Sequence, residues 1–196
     1  MQDDAQLVFR CLEGDTDAYQ DLVRRYQGAV YATAFYYVGR YGAAEDVTQE
    51  ALMAAYRSLP WLKEAEKFGP WLKAITCRTG ANWLRRHQKR LLMETPLPSR
   101  RSVSIEDVRE GPRGNLERDE RYERVQRAVD ALPERYRLPV LLRYLQELSY
   151  DEISAFTGES RDEIRGILQR AGRQLREILA ESDANQGETR WHPVSR

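Results

Sequence analysis

Apolar residues recur every three to four positions along most of the chain, which is the spacing of one face of an α-helix. One such face holds four residues at intervals of four, namely Leu22, Tyr26, Val30 and Ala34. Asp15 precedes this face and is a candidate helix cap, because a carboxylate there can accept from free backbone N–H groups. No strand-hairpin signal stands out, so the pattern predicts an all-α protein.

Two further helices are expected in the first half of the chain. One is predicted to begin near Gly42 and to stop before Pro60, and a short charged loop at residues 63–67 follows it. The next helix contains Pro70 in its first turn, where proline is favoured, and runs to about Leu92.

The composition changes after this helix. Residues 93–115 are rich in proline, glycine and serine and have no helical or alternating period. A loop of about 20 residues is unusual inside one compact domain, so it marks a domain boundary. We therefore predict two small helical domains, at residues 1–92 and 118–181, joined by a flexible linker at 93–117 and followed by a disordered tail at 182–196.

The second domain contains two helix starts that resemble each other. Ser149 with Glu152 has the form of a capping box, and Ser160 with Glu163 repeats it, with Gly158 between them suited to a tight turn. The helix after Ser160 carries five arginines, Arg161, Arg165, Arg170, Arg173 and Arg176. Two capped helices joined by a turn are typical of a helix-turn-helix, whose arginines bind phosphates and guanine edges. An ordinary helical hairpin is the alternative.

Charge is distributed unevenly, although the net charge of the chain is zero. Residues 1–66 carry six basic and eleven acidic side chains, whereas residues 73–101 carry eight basic side chains and only Glu94 as an acid. A basic segment beside an acidic one suggests a protein that binds nucleic acid with one face and another partner with a second face. A solvated charged helix is the simpler explanation.

The basic helix also carries two tryptophans, Trp71 and Trp83. Aromatic rings beside cations suit unpaired bases, because the rings stack on bases while the cations hold the backbone. Trp71 lies on the apolar face and is expected in the core, whereas Trp83 fits either the core or DNA.

The helix between Gly42 and Pro60 has a polar face. Asp46, Gln49 and Glu50 are three or four positions apart and share it, opposite Val47 and Ala51. Such a face suits docking onto a basic protein surface, and it is equally compatible with simple solvation.

Other classes of function find little support. No apolar run approaches the roughly 20 residues that cross a membrane, and the first residues lack the features of a signal peptide. We expect a cytoplasmic protein with no membrane segment of its own. Cys11 and Cys77 fit packing positions, and with His87 and His192 they make no metal-binding spacing. No catalytic residue, metal or cofactor is predicted.

The order of these segments resembles the extracytoplasmic function group of sigma factors, which are sigma-70-type initiation factors of bacterial RNA polymerase. The sequence AEDVTQE at 44–50 is similar to the helix that grips the polymerase clamp. FGPWLKAI at 68–75, continuing to WLRR, resembles the helix for the −10 promoter element. ALPERYR at 131–137, followed by LSYDEI, resembles the start of the −35-reading domain. The likeness covers about residues 5–92 and 118–180.

The resemblance implies four sets of binding residues. The clamp's coiled coil would be bound by Asp46, Gln49, Glu50 and Met53. A base flipped out of the −10 strand would enter a pocket formed by Lys63, Glu64, Ala65 and Glu66. The melted strand or its upstream phosphates would contact Arg78, Asn82, Trp83, Arg85, Arg86 and Lys89. The −35 major groove would be read by Ser160, Arg161, Glu163, Arg165, Gln169, Arg170 and Arg173.

The expected function is therefore transcription initiation: binding core RNA polymerase through its clamp coiled coil and flap, reading −10 and −35 elements, and helping to open the −10 DNA. An anti-sigma factor is an expected partner. A helix-turn-helix regulator that binds operators without polymerase is the main alternative, and an enzyme acting on nucleic acid is a weaker one. We also expect the two domains to fold back on each other, or on an inhibitory partner, when the protein is free.

The chain departs from the group's pattern at three places. Arg78 stands where the group has asparagine, and Ile167 stands where it often has arginine. Asp162, Glu163 and Ile164 stand where it often has glycine, threonine and valine. These changes leave the preferred promoter sequence open. Glu163 completes the capping box of its helix, or alternatively accepts a hydrogen bond from a cytosine amino group; the first role is favoured.

Overall fold

The computed structural model describes residues 3–39, 41–94 and 128–188, and within them every regular element is helical. The seven long helices are α1 (Asp4–Leu12), α2 (Thr16–Val38), α3 (Tyr41–Ser58), α4 (Phe68–Glu94), α5 (Glu134–Tyr144), α6 (Tyr150–Thr157) and α7 (Arg161–Glu188). Two single turns of 3-10 helix, Leu59–Trp61 and Ala65–Lys67, connect α3 to α4. The predicted all-α fold is confirmed. None of these helices is both long and apolar enough to cross a membrane.

Helix α2 lies at the centre of the first domain and packs against α1, α3 and α4. It begins where the sequence predicts, because the carboxylate of Asp15 accepts from the N–H groups of Asp17 and Ala18 at 3.0 and 3.2 Å. It ends at Gly39, which adopts the left-handed conformation that glycine enters without strain. The four residues of its predicted apolar face are all buried, as expected: Leu22, Tyr26, Val30 and Ala34.

The second domain is a helix-turn-helix carried on α5. Ser149 and Glu152 form the predicted capping box at the start of α6. Gly158 ends α6 with a φ of 78°, a left-handed conformation that favours glycine, and the chain then turns into α7. The buried side chains that join these helices are Leu142, Ile153, Phe156, Ile164, Leu168 and Ala171.

Two predicted boundaries differ from the structure. Helix α4 ends at Glu94 rather than about Leu92, and α7 continues to Glu188. The prediction of a tail without helix from residue 182 is therefore wrong for 182–188, because that segment has no proline to stop the helix. Most of the predicted linker and the end of the tail lie outside the described residues.

The two domains pack against each other, the arrangement that the sequence analysis expected of the free protein. Helix α2 contacts α5 and α6, and the start of α4 contacts α6. The rings of Tyr26 and Phe156 lie 6.2 Å apart across this contact. Glycine at position 69 permits this contact between the domains. A Cβ atom there would overlap the carbonyl oxygen of Ala155 and lie 3.0 Å from the carbonyl carbon. The two bundles thus share one continuous apolar core.

Candidate polymerase and nucleic-acid interfaces

The polar residues of α3 lie on one exposed face. Asp46, Gln49 and Glu50 are exposed, and Met53 is 55% exposed. The opposite side of the helix packs into the core through Ala44, Val47, Ala51 and Ala55, each fully buried. We call Asp46, Gln49, Glu50 and Met53 the acidic face. It presents carboxylates and one flexible apolar side chain to whatever docks there.

Two exposed aromatic residues near the acidic face were missed by the sequence analysis. Tyr56, one turn beyond Met53, is 48% exposed, and its ring centroid lies 4.7 Å from that of Tyr19. Trp61, in the 3-10 turn after α3, is 75% exposed. The spacing from Gln49 to Met53 to Tyr56 could have revealed the first, because positions three and four apart share a helix face.

The charged loop before α4 has one buried anchor. Lys63, Glu64 and Glu66 are exposed, whereas Ala65 is only 8% exposed and packs in the core. The turn that contains Ala65 contacts α1. The loop thus offers its charged side chains outward, while the methyl group of Ala65 fixes the backbone instead of lining an open pocket.

Helix α4 presents its cations on the side away from the core. Arg78, Arg85 and Arg86 are exposed. Asn82 is exposed as well, and its side-chain amide oxygen accepts from the guanidinium group of Arg85 at 2.6 Å. Leu72 and Thr76 are buried on the other side, and the hydroxyl group of Thr76 donates to the carbonyl of Leu72. Lys89 lies in α4, but its side chain is outside the described residues.

The two tryptophans of α4 have different surroundings. Trp71 is partly buried, packs on the core as predicted, and lies 5.8 Å from the ring of Phe68. Trp83 is half-buried, and its ring stacks on that of His87 with centroids 4.6 Å apart and planes 8° from parallel. The stacked pair lies among the cations of α4 and combines a core contact with a partly open ring surface.

The acidic face and the cations of α4 meet at an ion pair. The Nη2 atom of Arg86 lies 3.2 Å from both carboxylate oxygens of Glu50. Around this pair is an open cleft of about 480 Å³, lined by Glu50, Asn82, Arg85 and Arg86. Nothing in the sequence pattern predicted this contact, because the two residues are 36 positions apart.

The seven residues predicted to read the −35 groove are all exposed on or next to α7: Ser160, Arg161, Glu163, Arg165, Gln169, Arg170 and Arg173. Two of the arginines lie near acids, Arg161 at 3.3 Å from Asp151 and Arg165 at 4.0 Å from Asp162. Ile167 is buried, so its side chain faces the core and not this surface. Helix α7 therefore has one apolar and one basic side.

Glu163 closes the second capping box. Its carboxylate accepts from the backbone N–H of Ser160 at 2.8 Å and from the Ser160 hydroxyl at 2.6 Å. In return, the N–H of Glu163 donates to that hydroxyl at 3.3 Å. The hydrogen bonds from the Ser160 side chain and backbone lower the pKa of Glu163 from its ordinary value. The favoured capping role is thus present in the structure.

An aromatic and cationic cleft lies between α5, α6 and α7. It has a volume of about 500 Å³ and is lined by Tyr144, Tyr150, Leu168, Gln169, Gly172, Arg173 and Arg176. Tyr144 is 64% exposed, and the guanidinium group of Arg143 lies 5.4 Å from the ring centre of Tyr150. The cleft therefore extends the groove-reading surface, because Gln169 and Arg173 belong to both, and it adds the aromatic rings of Tyr144 and Tyr150.

Comparison with known families divides the chain where the composition changes. Residues 22–90 match the model of Sigma-70 region 2, and residues 122–175 match the model of Sigma-70, region 4.

Characterised relatives include two RNA polymerase sigma factors. The ECF RNA polymerase sigma-E factor of Escherichia coli K12 is 33% identical over 160 residues, which cover 78% of this chain and 81% of that protein. RNA polymerase sigma factor SigV of Bacillus subtilis 168 is 29% identical over 153 residues, covering 78% and 86%.

Solved structures share the fold. CnrH, in complex with the cytosolic domain of CnrY, aligns with a TM-score of 0.59 at 20% identity, over 91% of this chain and 97% of that one. The sigma factor RpoE of Bartonella quintana, in complex with the anti-sigma factor NepR, aligns with a TM-score of 0.50 at 20% identity, over 83% and 96%. The family models and relatives together show that this chain belongs to the extracytoplasmic function group of the sigma-70-type RNA polymerase sigma factors.

Proposed function

We propose that this chain binds core RNA polymerase, directs it to specific promoters and helps to open their −10 DNA. The observation that carries the proposal is that one sigma-type fold presents an acidic face on α3 and two cationic surfaces, on α4 and α7. The chain itself needs no catalytic group for this role, because the polymerase makes the RNA.

The acidic face is the proposed contact for the clamp coiled coil. Asp46, Gln49 and Glu50 offer acceptors to a basic partner, and Met53 adds a flexible apolar contact. Tyr56 extends this surface with the kind of residue that often anchors protein interfaces. The cleft between α5, α6 and α7 is a matching candidate for the flap.

The loop before α4 and the cations of α4 form the proposed −10 site. Lys63, Glu64 and Glu66 surround the position where a flipped base would sit, on a backbone anchored by Ala65. Arg78, Asn82, Arg85 and Arg86 face solvent and suit the phosphates of the melted strand. The stacked rings of Trp83 and His87 add a surface on which an unpaired base can stack.

The exposed side of α7 is the proposed −35 site. In a helix-turn-helix the N-terminal residues of the second helix contact base edges in the major groove. Here those residues are Arg161, Asp162 and Arg165, with Gln169, Arg170 and Arg173 following on the same helix. Arg161 and Arg165 can leave their exposed carboxylate neighbours and bind DNA at little cost in free energy, since exposed ion pairs are weak.

The packed domains must separate before both elements are read. The numbers in the names of the −10 and −35 elements place them about 25 base pairs apart, which is roughly 85 Å at about 3.4 Å per base pair. A packed protein of about 150 residues is only about 40 Å across. The predicted linker joins the two domains, and its residues 95–117, which follow α4, can reach roughly 80 Å when extended.

An anti-sigma factor as a further partner and a location in the cytoplasm complete the proposal. Two proteins of similar fold are seen in complexes with CnrY and with the anti-sigma factor NepR. We therefore propose that an anti-sigma factor also holds this chain in its inactive state. Because core polymerase and promoter DNA are found in the bacterial cytoplasm, the chain would act there.

Reconstitution with core polymerase tests the proposal. The purified chain and core enzyme should co-elute and should start transcripts at a defined set of genomic sites, read by sequencing the 5′ ends. A helix-turn-helix regulator without polymerase would instead bind duplex DNA by itself and give no new transcript starts.

Changing Asp46 and Gln49 together to alanine should reduce core binding at least about tenfold, because two contacts at the centre of one interface are lost. The matched control is Glu45→Gln, an exposed acid on the same helix outside the acidic face. Co-elution and circular dichroism would show the loss of binding with unchanged helicity. Core binding that survives the double change would remove the acidic face from the proposal.

A further inference from the structure

The ion pair between Glu50 and Arg86 joins two surfaces that the proposed function assigns to different partners. Glu50 belongs to the acidic face on α3, and Arg86 belongs to the cations of α4. The Nη2 atom of Arg86 donates to both carboxylate oxygens at 3.2 Å. Each side chain is therefore held, in the free protein, by a group that competes with its partner.

The pair is built to exchange rather than to stabilise the fold. The side chains of Arg86 and Glu50 are 61% and 52% exposed, and pairs this exposed are weak because water and salt screen them. The open cleft around them leaves room for an incoming group. Neither a basic group of the polymerase nor a DNA phosphate would have to displace buried side chains to reach this ion pair.

The helices that carry the pair are fixed. Helices α3 and α4 pack together, with Val47 and Ala51 buried on one and Leu72 and Thr76 buried on the other. Glu50 and Arg86 can thus change partners by side-chain rotation, while the backbone stays in place. The Nε atom of Arg86 donates to the backbone carbonyl oxygen of Asn82 at 3.4 Å, which holds the guanidinium group near the same helix face.

We propose that Glu50 and Arg86 form an exchangeable ion pair that couples polymerase docking on α3 to DNA binding on α4. A basic group of the docked polymerase takes the carboxylate of Glu50, and the guanidinium group of Arg86 becomes available to a DNA phosphate. The coupling is reciprocal, so DNA bound to Arg86 frees Glu50 for the polymerase to the same extent. This inference rests on the proposed function and names two residues that link its two halves.

The DNA half is tested with the free chain in a double-mutant cycle. The four proteins are the unaltered chain, E50Q, R86Q and the double variant, and the probe is a fluorescein-labelled single strand of twelve thymidines at low salt. E50Q should bind it about two- to fivefold more tightly, the range for one exposed ion pair. In the R86Q background the same change should have no effect, because the group that Glu50 restrains is gone.

The control for the DNA half is Glu45→Gln, which removes the same charge from the same helix without touching Arg86. If Glu45→Gln tightened DNA binding as much as E50Q did, or if E50Q acted equally without Arg86, the gain would come from overall charge and the proposal would be overturned. Circular dichroism checks that every variant keeps its helices.

The test of the polymerase half of the coupling uses core enzyme without DNA. R86Q should bind core about two- to fivefold more tightly than the unaltered chain, because Glu50 is already free. Lys73→Gln removes a cation from α4 outside the ion pair and should leave core binding unchanged. Equal core affinity of R86Q and the unaltered chain would overturn the coupling.

The proposed function and the coupling of Glu50 to Arg86 fail in different experiments. If the unaltered chain bound no core enzyme, the proposed function would fail and the polymerase half of the coupling with it. The four-protein comparison on DNA would still decide whether Glu50 restrains Arg86.

Discussion

The side chain of Glu163, at the start of α7, makes the contacts of one of the two roles that the sequence left open. Glu163 could cap its helix or read a cytosine, and the structure engages its carboxylate with both the N–H and the hydroxyl group of Ser160. A carboxylate used in this way has fewer free acceptor positions for a base. The residue pattern was sufficient here, because a capping box is a local arrangement that four consecutive residues determine.

Replacing Glu163 by glutamine should leave the −35 preference unchanged, because the amide oxygen still accepts from Ser160. Replacing it by alanine should lower the melting temperature with the same DNA preference. The preference is measured by sequencing DNA fragments selected by the holoenzyme from a random −35 pool. A change at one base pair in the glutamine variant would show instead that Glu163 reads DNA.

Other single residues were beyond sequence reasoning. Ala65 was assigned to a base pocket with its charged neighbours, yet its methyl group is buried. One small apolar residue in a charged loop has no periodicity from which its direction could be inferred. The 48% exposure of Tyr56 was not predicted either, since the width of an apolar face depends on the neighbouring helices.

At the scale of elements, the starts of helices were predicted more accurately than their ends. The caps at Asp15, Ser149 and Ser160 were found because a polar side chain must satisfy the free N–H groups of a first turn. The ends of α4 and α7 were placed too early, by two and seven residues. No proline lies between the predicted and the observed end of either helix, and the apolar spacing fades before the helix ends.

The cap of α6 provides a test at this scale. Ser149→Ala should destabilise the chain by about 1 kcal/mol, the usual loss for an N-cap, and α6 is short enough to depend on it. The control is Ser58→Ala, because Ser58 precedes a 3-10 turn and makes no side-chain cap hydrogen bond. Urea unfolding followed by circular dichroism measures both. Equal midpoints for the two variants would mean that the box at Ser149 does not support α6.

At the scale of the whole molecule, the contact between the domains was expected, but its residues were not. Helical periodicity predicts which face of a helix is buried and gives no information about which helix covers it. The meeting of Gly69 with the carbonyl of Ala155, 86 positions later, depends on the final packing of both bundles. Gly69 lies in a motif that the sequence analysis assigned to DNA, and in the structure it also serves the interdomain contact.

Gly69→Ala should open the molecule, because the added methyl group would overlap the backbone carbonyl of Ala155, which cannot move as a side chain can. We expect the radius of gyration to increase by roughly 5 Å or more in small-angle X-ray scattering, as two small bodies on a tether replace one packed body. Gly42→Ala is the control, since a Cβ at Gly42 meets nothing within 4 Å. An unchanged radius in the Gly69 variant would contradict the closed arrangement.

The ring contact between Tyr26 and Phe156 also sets an order of events while the protein is being made. Phe156 is translated 62 residues after Glu94, the last residue of α4, which at about 5–20 residues per second is a delay of roughly 3–12 s. Throughout that interval all helices of the first bundle have been translated, while the ring that packs against Tyr26 has not. Every newly synthesised molecule therefore passes through an open state, in which a ribosome-bound chain is already competent to meet a chaperone or the transcription machinery before it first closes.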